Sequence, residues 1–264
     1  MRGEFITLRK IFINLHFSIK IMKLISLNLW GGRVHEPLVR FLNKNAEEVD
    51  VFCFQEIYHN ATDTMSDELK KPRLNLFTEL QQLLPNHIAF FRPTIKDVYG
   101  IGIFVHKKIQ VLQEGEVIIH SNPSYPGHGG NHSRNLQWIE CKRGGKVYSI
   151  LNVHGLWNGK GKTDTEDRIS QSQRIKLFMS TLHNPIVLCG DFNLHPETES
   201  LKMLDENMIN LIKTHGVTST RSHNYTKEEK FADYILVSSD IKVKEFKVMQ
   251  EPVSDHLPLW LEFS

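Results

Sequence analysis

Short runs of branched and aromatic residues alternate along this chain with breaks marked by glycine and proline, and their periods sort them into strands and helices. Leu24, Ile25, Leu27 and Leu29 predict a strand that opens at Asn28-Leu29-Trp30-Gly31-Gly32. Leu38, Phe41 and Leu42 lie at helical spacing between Pro37 and Asn45, and Val49 to Phe54 is a continuous apolar run that ends at Gln55-Glu56. A polar loop is expected from Thr62 to Arg73, then a short helix through Leu76, Leu80, Leu83 and Leu84. His87–Phe91, Ile101–Val105, Ile109–Ile119, Leu136–Cys141 and Val147–Val153 read as successive strands. Thr163 and Glu166 suit a capping box before an amphipathic helix carrying Ile169, Ile175, Leu177 and Phe178. Val187–Gly190 predicts a buried strand, Glu197 to Leu204 a helix, and Thr214 to Lys230 a polar loop. Strands over Phe231–Val237, Ile241–Met249 and Leu259–Phe263 close the chain.

The 264 residues suffice for one large core, and 32 Lys plus Arg against 30 Asp plus Glu leave a net charge of +2, which neither demands nor forbids a phosphate-bearing partner. Cys53, Cys141 and Cys189 all sit in apolar runs without a CxxC pair, which points to a reduced, cytoplasmic setting. Residues 1–21 read as an N-terminal extension of doubtful origin, and 22–264 as the functional domain. Within the extension Ile11, Ile13, Leu15, Phe17, Ile19 and Ile21 alternate with the period of a strand rather than of a secretory signal. No run is long enough to span a bilayer, and a monomer is expected.

Chemistry-bearing residues recur where strands end. Asp191 and Asn193 follow Gly190, so an acid and an amide can face one small volume; a helix cap formed by Asp-x-Asn is an equal alternative from this stretch alone. Asn28, Glu56, His154 and the pair Asp255-His256 stand at other strand ends, and Asp233 enters a strand where a carboxylate is either exposed or partnered. Asn28, Glu56, Asp191 and Asp255 are hard oxygen donors suited to Mg²⁺ or Mn²⁺. A carboxylate such as Asp233 would fix a histidine tautomer. The loop from Ser121 to Ser133, with His120, His128 and His132 in or beside it, lacks a dense metal spacing and is expected to be solvated. Arg134 could reach an anion, and the basic glycine run Gly159-Lys160-Gly161-Lys162 could touch phosphate or stay in solvent.

Ser26-Leu27-Asn28, Phe54-Gln55-Glu56, Asn152-Val153-His154, Gly190-Asp191-Phe192-Asn193, Asp233-Tyr234 and Ser254-Asp255-His256 resemble, in order and spacing, the motifs of the endonuclease/exonuclease/phosphatase superfamily. The resemblance runs from Met22 to the C-terminus. It implies a deoxyribonuclease I-like α/β fold, a four-layer α/β/β/α sandwich of two packed mixed sheets, with a site at one edge. By the same resemblance Glu56 is the main Mg²⁺ ligand, supported by Asn28 and Asp255. His256, paired with Asp233, contacts the scissile phosphate or handles a proton, Asp191 orients or activates water, and Asn193 steadies the pentavalent phosphorus. His154 and Arg134 match phosphate-binding positions of the deoxyribonuclease I and sphingomyelinase branches.

His154-Gly155 departs from the Pro-Asn or Pro-Gln of the abasic-site endonuclease and exonuclease III pattern, and no Trp-Cys-Asp-Arg segment marks an inositol polyphosphate phosphatase. The expectation is therefore a Mg²⁺-dependent hydrolase acting on a phosphodiester, with nucleic acid as the favoured substrate. A sphingomyelinase-like phosphodiesterase or a phosphatase of a small phosphorylated molecule is the alternative, and a binding module without activity stands last.

Overall fold

The computed structural model describes residues 21–61, 72–127 and 129–264. The segment expected to alternate before Met22, the polar loop from Thr62 and His128 therefore lie, but for the last residues of the two segments, outside the described residues. One six-stranded sheet runs β11 (Val243–Val248), β12 (Leu259–Phe263), β1 (Met22–Asn28), β2 (Val51–Tyr58), β4 (Tyr99–His106), β3 (His87–Ile95). The other runs β5 (Gln110–His120), β6 (Arg134–Arg143), β7 (Lys146–His154), β8 (Ile186–Asp191), β10 (Asp233–Ser238), β9 (Met208–Asn210). Helices α1 (His35–Asn45) and α2 (Leu76–Leu83) cover the first sheet, while α3 (Glu166–Met179), α4 (Glu199–Asp205) and α5 (Leu211–Thr214) belong with the second. This is the α/β/β/α sandwich that the motifs imply.

The continuous apolar runs of the central strands follow from burial on both faces. In β1 and β2, Leu24, Val51 and Cys53 point into the cluster between the sheets, whereas Ile25, Leu27, Phe52 and Phe54 pack beneath α1 and α2 with Leu38, Phe41 and Leu80. Polar residues on the inward face must be paired. Gln55 donates from Nε2 to Asn152 Oδ1 at 2.7 Å, and Asn152 donates from Nδ2 to the carbonyls of Phe54 at 3.1 Å and Gly102 at 3.3 Å, so two amides bridge the sheets.

Strand polarity collects the expected site residues. β1 and β2 are parallel, as are β7 and β8, which brings four C-terminal ends to one edge of the sandwich. β12 runs antiparallel to β1 and β10 antiparallel to β8, so both begin at that edge.

Several local expectations change. The equal alternative for Asp191 and Asn193, a helix cap, does not hold: Thr198 caps α4, its Oγ1 accepting from the Leu201 amide at 3.3 Å. α3 is capped by Thr165 rather than Thr163, through a 3.4 Å bond from the Arg168 amide. Its buried face is mixed, with Arg168, Gln171 and Ser172 in its first half and Ile175 and Met179 in its second, while Leu177 is 69% exposed. The reason is that α3 packs partly on loop backbone, whose carbonyls and amides need hydrogen-bond partners rather than apolar cover.

Two predictions follow from buried polar groups in this framework. Replacing Asn152 by Leu removes the side-chain donors to the Phe54 and Gly102 carbonyls and one of the two acceptors of Gln55 Nε2, which keeps only the Cys53 carbonyl at 3.1 Å, and should lower unfolding free energy by roughly 2–4 kcal/mol in urea titrations. His87 donates from Nε2 to the Val49 carbonyl at 3.1 Å, its buried Nδ1 has no partner, and burial pulls its pKa down to about 4. The unfolded chain takes up this proton near the ordinary histidine value and the folded ring does not, so stability falls as pH drops through the window between them. The fall in denaturant midpoint between about pH 7 and about pH 5 should accordingly be smaller in His87→Gln than in the wild type.

Candidate active site

Asn28 ends β1 on the face that points between the sheets. Its Nδ2 donates to Glu56 Oε1 at 3.0 Å and to Asp191 Oδ2 at 2.9 Å, and its Oδ1 accepts from the Trp30 amide at 2.9 Å. These three partners fix the amide orientation, with nitrogen toward the carboxylates. Glu56 is not a strand terminus. β2 continues to Tyr58, and Glu56 sits at a register shift between Phe54 and Ile57 with φ of +58°. A left-handed, non-glycine residue at a bulge re-aims a side chain, and here the Glu56 carboxylate enters a cleft with 26% of its side chain exposed.

The second sheet presents a row. His154 on β7 pairs with Asp191 on β8, and Asp191 pairs with Asp233 on β10. Two glycines permit this close packing. A Cβ on Gly190, whose φ is +138°, would stand 2.0 Å from the Val153 carbonyl oxygen, and one on Gly155 would stand 2.1 Å from that of Phe192. Beyond the strand, Asp191 Oδ1 accepts from the Asn193 amide at 2.9 Å, and Asn193, with φ of +52°, donates from Nδ2 to the Gly155 carbonyl at 3.2 Å. His154 Nε2 lies 3.8 Å from both Glu56 Oε1 and Asp191 Oδ2, so the two sheets meet at these three side chains.

His256 reaches the same place from the segment before β12. Its Nδ1 is 2.8 Å from both carboxylate oxygens of Asp233, and its Nε2 is 3.6 Å from Asp191 Oδ2. Thr220 steadies the pair by donating to Asp233 Oδ2 at 2.9 Å, and Arg221 Nη1 lies against His256 Nε2 and 3.4 Å from Asp255 Oδ2. Thr220 and Arg221 come from the stretch that the sequence reads only as polar loop. No period or spacing marks them, because they are held by distant segments: Arg221 bridges His256, while the Thr220 carbonyl accepts from the Leu257 amide at 2.9 Å and the Thr220 amide donates to the Lys230 carbonyl at 2.8 Å.

The cleft holds about 600 Å³ and is walled by Trp30, Tyr58, Tyr99, Tyr125, Trp157 and Tyr225, with Arg134, Lys162 and Arg221 among its cations. Arg134 is 2% exposed; its Nη2 donates to the Gly130 carbonyl at 2.9 Å, while Nε and Nη1 are buried without a protein partner. His132, expected in solvent, is instead buried between Tyr99 and Tyr125, and burial together with the Arg134 charge pulls its pKa down to about 3. Lys162 is buried too, donates to the Phe231 carbonyl at 2.7 Å, and is lowered by burial to about 8 although Asp191 opposes the shift.

A family model described as the endonuclease/exonuclease/phosphatase family matches residues 25–256. The chain belongs to this family. Its fold is similar to that of a family member from Bacteroides vulgatus, at 19% identity and TM-score 0.69 over 93% of this chain and 99% of that one. A mannosyl-6-phosphatase from Bacteroides thetaiotaomicron gives 19% identity and TM-score 0.69 over 92% and 99% of the two chains. D. rerio TDP2 complexed with single-strand DNA product gives 15% and 0.68 over 92% and 99%. No curated protein matches the chain.

The charge pattern of this endonuclease/exonuclease/phosphatase protein suits a divalent cation at the acidic side of the cleft. Glu56, His154 and Asp191 offer ligand atoms within 4.8 Å of one another, and so do Asp191, Asp233 and His256. Burial and the Asp255 charge push the Glu56 carboxyl up despite the Asn28 hydrogen bond. A cation beside it would reverse that repulsion. Burial also pushes Asp191 up, but His256, His154, Lys162 and Arg221 outweigh it and hold this carboxyl well below the usual range. Burial and the Arg134 charge pull His154 well below the usual histidine range, whereas for His256 the loss of solvent is outweighed by Asp233, with Asp255 and Asp191, so its pKa rises.

The glycine contacts supply a test of the scaffold. Gly190→Ala forces a methyl group into the β7 backbone at a left-handed φ, and should either prevent folding or lower the thermal midpoint by on the order of 10 °C, read by circular dichroism.

Proposed function

We propose that the protein is a divalent-metal-dependent phosphodiesterase of the cytoplasm with nucleic acid as its first substrate class. The observation that carries this reading is the meeting, at one sandwich edge, of Glu56 from one sheet, Asp191 and Asp233 from the other, and Asp255-His256 from the segment before β12. The hard oxygen donors favour Mg²⁺ or Mn²⁺, and the fold relative complexed with a single-strand DNA product supports a polynucleotide substrate. The three free, buried cysteines support a reducing compartment.

In this reading Glu56 and Asp255 hold the cation, and Asn28 spaces Glu56 from Asp191; serving as an oxygen ligand as well would require its amide to turn over. The bound cation supplies positive charge against that developing on the phosphate and the leaving oxygen. Arg134 and His154 bind non-bridging oxygens, for which the two unpaired guanidinium nitrogens of Arg134 are suited. Asp191, kept ionised by its cationic neighbours, orients water and draws its proton, while the second Nδ2–H of Asn193 donates to an oxygen on the crowded phosphorus centre. Asp233 holds the Nδ1–H of His256, which leaves Nε2 to meet the phosphate or the departing oxygen.

A second reading, a phosphatase of a small phosphorylated molecule, is favoured by the bounded cleft with aromatic walls and by the mannosyl-6-phosphatase among the fold relatives. A panel of single- and double-stranded nucleic acid, sphingomyelin and small phosphomonoesters, run with Mg²⁺, Mn²⁺ or chelator, separates the two. Chelation should abolish turnover, and Glu56→Gln and His256→Ala should each lower kcat/KM by roughly 10²–10⁴-fold without a matching loss of thermal stability. Unchanged rates in either variant would remove that residue from the chemistry. A steep fall of affinity with salt marks a polynucleotide.

A further inference from the structure

The loop between β7 and α3 carries two lysines within the glycine run that begins at Gly159, and their environments differ. Lys160 is exposed, whereas Lys162 is 4% exposed and lines the cleft with Asp191 and Arg221. Burying an ammonium group is costly unless its donors are used. Among the described residues one acceptor is in place, the Phe231 carbonyl at 2.7 Å, with the Tyr225 ring 5.9 Å away. An ammonium has three donors, so capacity remains for a ligand in the cleft.

The chain is built to keep Lys162 there. Arg168, fully buried in the first turn of α3, donates to the carbonyls of Gly161 at 2.6 Å and Thr163 at 2.5 Å, one on each side of Lys162, and to Leu156 at 3.2 Å. The Lys162 carbonyl itself accepts from the His195 amide at 2.9 Å, and Asp164 accepts from the Glu199 and Ser200 amides at 2.8 and 2.9 Å. The loop is thereby pinned to both α3 and the start of α4. A second observation points to an anion: Arg134 Nε and Nη1 and Arg221 Nε are buried without an acceptor among the described residues.

We propose that Lys162 contacts the non-bridging oxygens of the substrate phosphate as a third cation beside Arg134 and Arg221, and that Arg168 is the positioning residue that holds it in place. The inference rests on the phosphoester reading above. It also explains why the first half of α3 buries polar side chains, since the guanidinium there serves the loop rather than the core.

Inorganic phosphate binding to the full chain in Mg²⁺, measured by calorimetry with thermal midpoints in parallel, tests it without turnover. Lys162→Gln keeps a donor for Phe231 but loses the charge; it should bind phosphate about 10-fold more weakly at an unchanged midpoint, and Lys162→Arg should stay within about 3-fold of wild type. Arg168→Gln should weaken phosphate binding in the wild-type background and add nothing in Lys162→Gln. Wild-type affinity in Lys162→Gln overturns the phosphate contact, and equal losses from Arg168→Gln in both backgrounds overturn its positioning role. If Lys162→Gln fails to fold, the Lys162 ammonium resonance of the wild-type protein decides: it should shift on adding phosphate, and an unmoved resonance rejects the contact. A protein that hydrolyses none of the substrate panel leaves this test intact. An active protein indifferent to Lys162 charge rejects this inference alone.

Discussion

Gln55 on β2 and Asn152 on β7 meet between the sheets at 2.7 Å, and Asn152 also satisfies two backbone carbonyls of the facing sheet. In an interior filled mainly by apolar side chains, which slide against one another at small cost, such directional bonds, together with that from Gln137 Nε2 to the Phe90 carbonyl at 2.8 Å, fix the relative height of the two sheets. Immediately beyond them lie Glu56 and His154, next in sequence and next but one. The vertical register of the cleft is therefore set by neutral amides one layer below it, and the acidic and cationic groups above are free to be matched to a ligand.

Above that layer the site is assembled by polarity and by a few backbone irregularities. Parallel pairing of β1 with β2 and of β7 with β8 brings four strand ends to one edge, and antiparallel β10 and β12 start there. Left-handed conformations at Glu56 and Asn193 turn side chains that a regular strand would aim elsewhere, and Gly155 and Gly190 let neighbouring backbones approach too closely for a side chain. The surrounding sheets over-determine these conformations, which is how strained residues persist at functional sites.

The electrostatics are organised as two facing sides. Glu56 and Asp255 repel on the acidic side, a situation relieved by a cation, while Arg134 and Lys162 line the cleft with Arg221, which leans on Asp255, and Arg134 Nε and Nη1 and Arg221 Nε have no acceptor among the described residues. Asp191 lies between, kept ionised by imidazole, ammonium and guanidinium neighbours. A phosphate ester with a divalent cation matches both sides at once, and Trp30, Trp157 and the tyrosines offer apolar surface to whatever the phosphate is attached to.

Much of this was legible along the chain because it is local. Apolar runs ending at Asn28, Gln55-Glu56, His154 and Gly190-Asp191 require only the two-residue period and glycine breaks to be read, and the order of those endings carries the family resemblance. What the sequence by itself determined is the strands other than the short β9, their chemistry-bearing ends and the fold class. Tertiary structure alone decided that Glu56 lies in a bulge rather than at a terminus, that Asn28 turns its nitrogen to two carboxylates, that Thr220 and Lys162 are buried, and that the half-buried Arg221 is a partner of His256 and Asp255 rather than a solvated loop residue. The physical reason is that a strand buries side chains by its own repeat, whereas a loop residue is buried only by whatever distant segment folds over it, and that information is absent from its neighbours in sequence.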